Sequence, residues 1–577
     1  MKENTQTAVG TPGAEPISMQ GSAALMECLL KEQVELIFGY PGGAIMPVYD
    51  ALYAYSDKIR HVLVRHEQGA VHAAQGYARV SGKTGVVFVT SGPGATNAVT
   101  GIADAMTDST PLVVISGQVG SNLLGTNAFQ ETDVIGITSP ITKWNCQVTR
   151  AEQIPKAMAR AFFMARSGRP GPVVVDITKD AQFGQLDFTY RAVSRVPGYT
   201  PFPSPDPEKL EEAARLINLA RKPLALVGQG VVLAGAEQEL IRFLEKCGMP
   251  AAWTILGLSA IPSDHPLNVG MLGMHGNYGP NLKTNEADLI VAIGMRFDDR
   301  VTADSARYAT NARIIHLEID PKEINKIVHA DVPVLGDVKE TLPMLTRLTS
   351  NNDHHAWLEE FRACDRVEED RLIRRELYPA KKQLSMGEVI NRVSAAFSDD
   401  AIMVTDVGQH QMMATRYFRF RQTRSVVTSG GLGTMGFGLP AALGAQMGCP
   451  ERPVCLFVGD GGFQMTIQEL ATLHQERVPV KIVLLNNNFL GMVRQWQELF
   501  FDYRYASTEI MNPDFQTISR GYHIPSVKVN RRAGLDAAIA EMTRSSGPFL
   551  LEVVVEREGN VFPMVPAGAS VSEIRLE

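Results

Sequence analysis

The sequence predicts an α/β protein of three domains, each with a mostly parallel sheet flanked by helices, and three observations lead there. Its 577 residues are too many for one core, because domains usually run to about 100–200 residues. Short apolar runs rich in β-branched residues alternate with helix-like stretches along the chain, as strands buried on both faces do. Two breaks interrupt this alternation: the proline-rich "SRVPGYTPFPSPDPEK" and the charged "HHAWLEEFRACDRVEEDRLIRRELYPAKKQ".

In chain order, residues 1–19 read as a disordered lead. A first domain over 20–190 carries the strand-like runs "TGVVFVTS", "PLVVISG" and "PVVVDI". A linker over 191–208 leads to a central domain over 209–350, which opens on the helix-like "LEEAARLINLA" and continues with "PLALVGQG", "DLIVAIG" and "ARIIHLEID". A helical connection over 351–379 precedes the third domain and tail, 380–577, where "SMGEVINRVSAAF" starts a new alternation through "AIMVTDVG", "PVCLFVGD" and "VKIVLLNN". Strands separated by helices imply parallel pairing through crossovers.

Composition excludes several classes. A 45% hydrophobic share, 20% charged residues and a net charge of -7 fit an ordinary globular protein with no basic footprint for nucleic acid. No apolar run reaches the roughly 18 residues of a membrane span, and the start lacks the basic-then-apolar order of a signal peptide. The six cysteines are scattered with no CxxC pair, which fits reduced thiols in a cytoplasmic protein.

The most informative stretch is "GDGGFQMTIQELATLHQERVPVKIVLLNNN", Gly459 to Asn488. It reads as strand, helix, strand, with Asp460 just past the carboxyl end of the first strand and Asn487 past that of the second; "TIQELATLHQE" is the helical part. Open α/β sheets bind ligands at that edge. A carboxylate, an amide oxygen and a backbone carbonyl are hard ligands of the kind Mg2+ takes beside phosphate oxygens and water. The glycines let the backbone approach an anion closely. In "VLVRHEQGAVHAAQGYARVSG", Glu67 stands where a strand meets a helix of small residues; an acid there also favours the helix dipole without any further role.

Asp460 followed 27 positions later (487 minus 460) by Asn487 resembles the signature of thiamin-diphosphate enzymes. "GYPGGAIMPVYDAL", "SGPGATN", "GTNAFQETD", "RSGRPGPVVVDITKD", "MLGMHG", "GMRFDDRV" and "GMVRQWQELF" follow in that order. Together they resemble the catalytic subunits of acetohydroxyacid synthase, also called acetolactate synthase, from about residue 20 onward. The resemblance implies a thiamin-diphosphate-binding fold in the first and third domains and a dinucleotide-binding-like fold in the central one.

What it implies for the residues follows position by position. Asp460, Asn487 and the carbonyl of Phe489 would hold Mg2+. Thiamin diphosphate would lie against Val407, Gly408, Gln409, His410, Gly433, Met435, Gly459, Gly461, Gly462, Gly491 and Met492, with Met435 beneath its bend. Glu67 would hydrogen-bond the aminopyrimidine and relay protons, near Gly43. Phe129, Gln130 and Lys179 would line the substrate channel. Arg300 would receive the carboxylate of the incoming 2-ketoacid, while Met492 and Trp496 shape that site and Trp496 limits its size. FAD, structural rather than redox-active, would contact Arg169, Gly228, Gly230, Met274, His275, Gly294, Arg296, Asp298, Glu318, Asp320 and Asp337, although "VGQG" is a weak dinucleotide motif by itself.

The implied activity is decarboxylation of pyruvate on thiamin diphosphate. The two-carbon fragment then joins a second pyruvate, giving 2-acetolactate, or 2-ketobutyrate, giving 2-aceto-2-hydroxybutyrate, the first common step of branched-chain amino-acid biosynthesis. A homodimer or dimer of dimers and a separate small regulatory subunit are implied as well. Three features depart from the family pattern: Asn127 where an Asp is common, Gly120 where Pro, Ala or Ser is usual, and Trp253 in place of a smaller residue near the flavin. The alternative enzymes are a pyruvate oxidase, which would reduce its flavin, and a simple 2-ketoacid decarboxylase. A nucleotide-binding scaffold would not need Glu67, Asp460 and Asn487.

Overall fold

A computed structural model describes residues 17–397 and 399–577. All nine strand-like runs are strands, among them Gly85–Val89, Pro223–Val227 and Lys481–Asn486, each buried at every position. Burial on both faces is why these runs are continuously apolar rather than alternating.

Eighteen strands form three parallel sheets of six. With strands numbered by chain order within each domain, the first sheet runs 2-1-3-4-6-5 and the third repeats that order. The central sheet instead runs 3-2-1-4-5-6, the order of a doubly wound dinucleotide-binding sheet. Each order reverses direction beside its first strand, and the crevice at that reversal is where such sheets take ligands. In the third sheet it falls between Ile402–Thr405 and Val454–Gly459, in the first between Leu36–Gly39 and Gly85–Val89, and in the central one between Pro223–Val227 and Leu289–Ile293.

The first and third domains share a core. Helix Glu67–Ser81 packs on helix Gly438–Gly448 so closely that a Cβ on Gly76 would sit 2.0 Å from Ala441 O, and one on Gly444 1.7 Å from Ala73 O. Only glycine fits either place. A second core joins the central and third domains, with Val227 and Ile293 in one cluster with Met403 and Phe457.

One expectation needs correction and another is refined. Residues 1–16 of the expected lead lie outside the described residues, but 17–19 are not disordered. Strand Ile17–Gln20 pairs antiparallel with Gln185–Phe188, because a short stretch can gain a full ladder against the end of its own domain. The expected helix over "TIQELATLHQE" is present, opening as a 3-10 turn, and a separate short helix precedes it. One helix begins at Asp460 itself and ends at Met465, a 3-10 turn covers Ile467–Glu469, and the second helix is Leu470–Glu476. Between them Thr466 leaves helical geometry and its hydroxyl donates to Gly436 O at 2.9 Å. Among the described residues no helix is long and apolar enough to cross a membrane, and all six cysteines are unpaired.

Candidate active site

At the carboxyl edge of the third sheet the chain collects oxygen donors. Asp460 is buried, and among the described residues it forms no ion pair. Its Oδ2 accepts from Asn488 N at 2.8 Å and from Asn512 Nδ2 at 2.6 Å. Burial raises its carboxyl pKa above the usual range, as expected for a charge lacking a cation. The three asparagines that end the next strand have separate tasks. Asn486 Nδ2 donates to Glu552 Oε1 at 2.9 Å, Asn487 Oδ1 accepts from Phe489 N at 3.2 Å, and Asn488 turns the chain with φ +56. No group of three or more His, Cys, Asp or Glu that could hold a metal occurs among the described residues.

The glycine-rich segments close around this point. A Cβ on Gly462 would meet Asp406 Oδ1 at 2.2 Å, on Gly491 Gln409 Oε1 at 2.2 Å, and on Gly459 His410 Nδ1 at 2.9 Å. Gly461 faces Met435, and Gly433 (φ +69) faces Val407. Asp406 is fully buried and accepts from the amides of Val407, Gly436 and Gly438 at 2.8, 3.1 and 2.8 Å. Burial still outweighs those bonds and pushes its pKa up to about 6. Burial pushes His410 down to about 3, so it is neutral, and its Nε2 has no hydrogen-bond partner.

The first sheet presents its carboxyl edge differently. Glu67 begins its helix, 9% exposed, with Asn97 Nδ2 donating to its Oε2 at 2.9 Å. Gly43 has no heavy atom within 4 Å of where a Cβ would stand. Phe129 is 87% exposed and Lys179 is exposed too, while Gln130 turns with φ +60 against Gly92. These five residues follow the carboxyl ends of strands in one sheet, and no hydrogen bond joins them to the Asp460 cluster.

A cavity of about 620 Å³ opens where the three domains meet. Apart from Gly228 and Asp320, every residue expected beside FAD lines it: Arg169, Gly230, Met274, His275, Gly294, Arg296, Asp298, Glu318 and Asp337. Val407, Gly433, Arg300, Met492 and Trp496 line it too, so it reaches the third sheet's edge. Gly228 backs the wall, where a Cβ would meet Gly294 O at 2.1 Å, and Asp320 stands 3.7 Å from Arg169 Nη1. Burial pushes Glu318 up to about 7 and His275 down to about 4. Arg300 is largely exposed, with Asp299 3.7 Å away.

The three domains match, in order, the N-terminal TPP binding domain (19–137), the central domain (210–345) and the C-terminal TPP binding domain (406–553) of thiamine pyrophosphate enzymes. The chain is 45% identical to the acetolactate synthase large subunit of Corynebacterium glutamicum, across 100% of this chain and 93% of that protein. It is 43% identical to the large subunit of Lactococcus lactis, across 96% of each. To the isozyme 2 large subunit of Escherichia coli it is 44% identical, across 96% and 99%. The chain belongs to the acetolactate synthase large-subunit family.

For an acetolactate synthase large subunit, three features were not anticipated. Asn512 ties Asp460, Asn486 and Asn488 together and accepts from Gln464, yet it stands in "EIMNPDF", which carries no motif. Asn97, within "SGPGATN", donates to Glu67, a task its motif does not reveal. The tail returns to the cavity, where Val565 N donates to Met274 O at 2.8 Å and His275 Nδ1 lies 3.3 Å from Pro563 O. One expectation is corrected: Trp253 does not line the cavity. It is a core residue tilted against Phe420, ring centroids 5.8 Å apart, because its strand turns that side chain into the core the central and third domains share.

Proposed function

We propose that this chain is the catalytic subunit of an acetolactate synthase, joining two 2-ketoacids with loss of one carboxyl group as CO2. The observation that carries the reading is the pair of sheet edges, oxygen donors around Asp460 on one and Glu67 on the other, in a chain of this family. Pyruvate is the donor, and pyruvate or 2-ketobutyrate the acceptor, serving branched-chain amino-acid synthesis.

Asp460, Asn487 and the carbonyl of Phe489 would hold Mg2+; a buried carboxylate with a raised pKa and no cation beside it fits that task. The unpartnered Nε2 of His410 and the glycines at 459, 461 and 462 suit a diphosphate approached by backbone. Thiamin diphosphate, when bound, supplies a carbon nucleophile and an electron sink for decarboxylation. Glu67 exchanges a proton with the cofactor ring; Asn97 holds Oε2, which assigns that exchange to Oε1. Arg300 offers its fork of donors to the carboxylate of the acceptor. Met492 and Trp496 keep the acceptor side apolar and limit water.

The cavity suits FAD: Arg169 would offer its guanidinium to phosphate, and Glu318, pushed up to about 7 by burial, would lie beside the bound cofactor. The exposed Phe129, Lys179 and Gly43 favour a homodimer in which the first-sheet edge of one protomer meets the third-sheet edge of its partner. Exposed Leu432, Met465, Val493 and Phe501 on the third domain favour it too, as large apolar groups in water mark interfaces. Relatives named as large subunits support a separate small regulatory subunit.

The test supplies purified protein with pyruvate, thiamin diphosphate, Mg2+ and FAD, assays acetolactate through its conversion by acid to acetoin, and follows flavin absorbance. Acetolactate with oxidised flavin is the expected result. Bleached flavin would point to an oxidase, and free acetaldehyde to a decarboxylase.

A further inference from the structure

The loop from Ser429 to Thr434 serves two sites. Ser429, Gly430, Gly431, Leu432 and Gly433 line the large cavity, and the same loop leads into Gly433 and Met435 on the thiamin side. With glycine at 430, 431 and 433 it has little stiffness of its own, since glycine has the most conformational freedom to lose.

What fixes it comes from another domain. Asp104, in helix Val99–Thr107, is fully buried. Its Oδ1 accepts from Ser429 Oγ and, at 2.8 Å, from Thr434 Oγ1, while Thr434 N donates to Ser429 Oγ at 2.9 Å. One turn later Asp108 accepts from Gly430 N at 2.9 Å and Gly431 N at 2.7 Å. Arg79 holds Asp108 at 2.7 Å and also donates to Thr428 O. The fit leaves no slack: a Cβ on Gly431 would stand 2.3 Å from Thr107 Cγ2. The other oxygen of Asp104, Oδ2, has no hydrogen-bond partner, and a buried polar atom left alone is costly. The Asp104 side chain therefore gains little for its own domain; both of its side-chain hydrogen bonds cross to the third.

We propose that Asp104 and Asp108, which touch neither cofactor site directly, are positioning residues that clamp the 429–434 loop and so make the affinities for flavin and thiamin diphosphate rise and fall together. This rests on the flavin reading above. Two ligands biased by one shared element are coupled, and the coupling is reciprocal.

The experiment titrates the full chain with FAD, read by flavin fluorescence and visible circular dichroism, and separately with thiamin diphosphate and Mg2+, read by protein fluorescence. Ser429→Ala and Asp104→Ala each remove two buried hydrogen bonds and should weaken both cofactors at least about fivefold. Wild-type protein should bind FAD more tightly when thiamin diphosphate is present. Asp104→Asn keeps the acceptor for Ser429 and Thr434 and should restore both affinities to within about twofold. If Asp104→Ala fails to fold, Ser429→Ala, which removes one hydroxyl, decides the matter. Weakening of only one cofactor, of neither in a folded variant, or no rescue by Asp104→Asn would overturn the clamp. Wild-type protein that binds thiamin diphosphate but no FAD would instead overturn the flavin reading, and the thiamin affinity of Ser429→Ala would still report on the loop.

Discussion

The first and third sheets share the order 2-1-3-4-6-5, and both offer a ligand crevice at the same reversal, yet their edges differ in kind. The third draws its polar groups inward: Asp406, Asp460, Asn486 and Asn487 are all buried and bound to backbone amides or side-chain amides. The first leaves part of its edge open, with Phe129 87% exposed and Lys179 in solvent, while Glu67 is sheltered. Topology thus fixes where a ligand goes, and side chains decide what happens to it. On the proposed function, one edge would anchor charge and the other would handle a proton beside a surface that a partner protomer covers.

That contrast can be broken at either edge. The largest effect is expected at the anchor: Asp460→Ala should cost about 10³-fold in activity, the scale of losing a preorganised charge contact, and should abolish Mg2+-dependent binding of thiamin diphosphate measured by protein fluorescence. Glu67→Gln should lower kcat by about 10²–10⁴-fold, the range for a lost general acid–base group, while cofactor binding measured the same way is retained. Asn512→Ala sharpens the anchor's definition. It removes one donor from Asp460 and should weaken Mg2+-dependent binding by about tenfold, equivalent to about 1.4 kcal/mol.

Smaller effects belong to the cavity. Trp496→Leu should leave acetolactate formation largely intact and shift the choice between pyruvate and 2-ketobutyrate by about tenfold in a competition assay, as one altered apolar wall permits. Glu318 titrates near pH 7 in the folded chain and near 4.5 when unfolded, so the folded state binds the extra proton between those values. Its contribution to stability is full below about pH 4.5 and lost as pH rises through 7. In the apo chain, Glu318→Gln should flatten the rise of melting temperature on acidification across that window by about one degree.

Much of this was legible in the sequence, for physical reasons that differ by element. Continuous apolar runs such as "VKIVLLN" identify strands buried on both faces, and Asp460 and Asn487 are readable because the strand–helix–strand geometry fixes both at one edge. Thr466 was not, since its departure from the helix depends on Gly436, 30 positions away. Asn512 and Asn97 carry ordinary side chains in loops, and their tasks arise only when folding brings Asp460 or Glu67 beside them. Trp253 shows the opposite limit: its position in the chain places it near the cavity, but the direction of its strand's side chains turns it into the core.

On the proposed function, each catalytic centre needs both kinds of edge, supplied by two protomers. Mixing Glu67→Gln with Asp460→Ala chains, then unfolding and refolding them together, tests it most directly. Each variant alone should be nearly inactive, and random pairing should rebuild one intact centre in half of the dimers, giving about a quarter of wild-type activity. Mixtures no more active than the separate variants, although co-refolded as dimers, would contradict the division of labour between the two sheets.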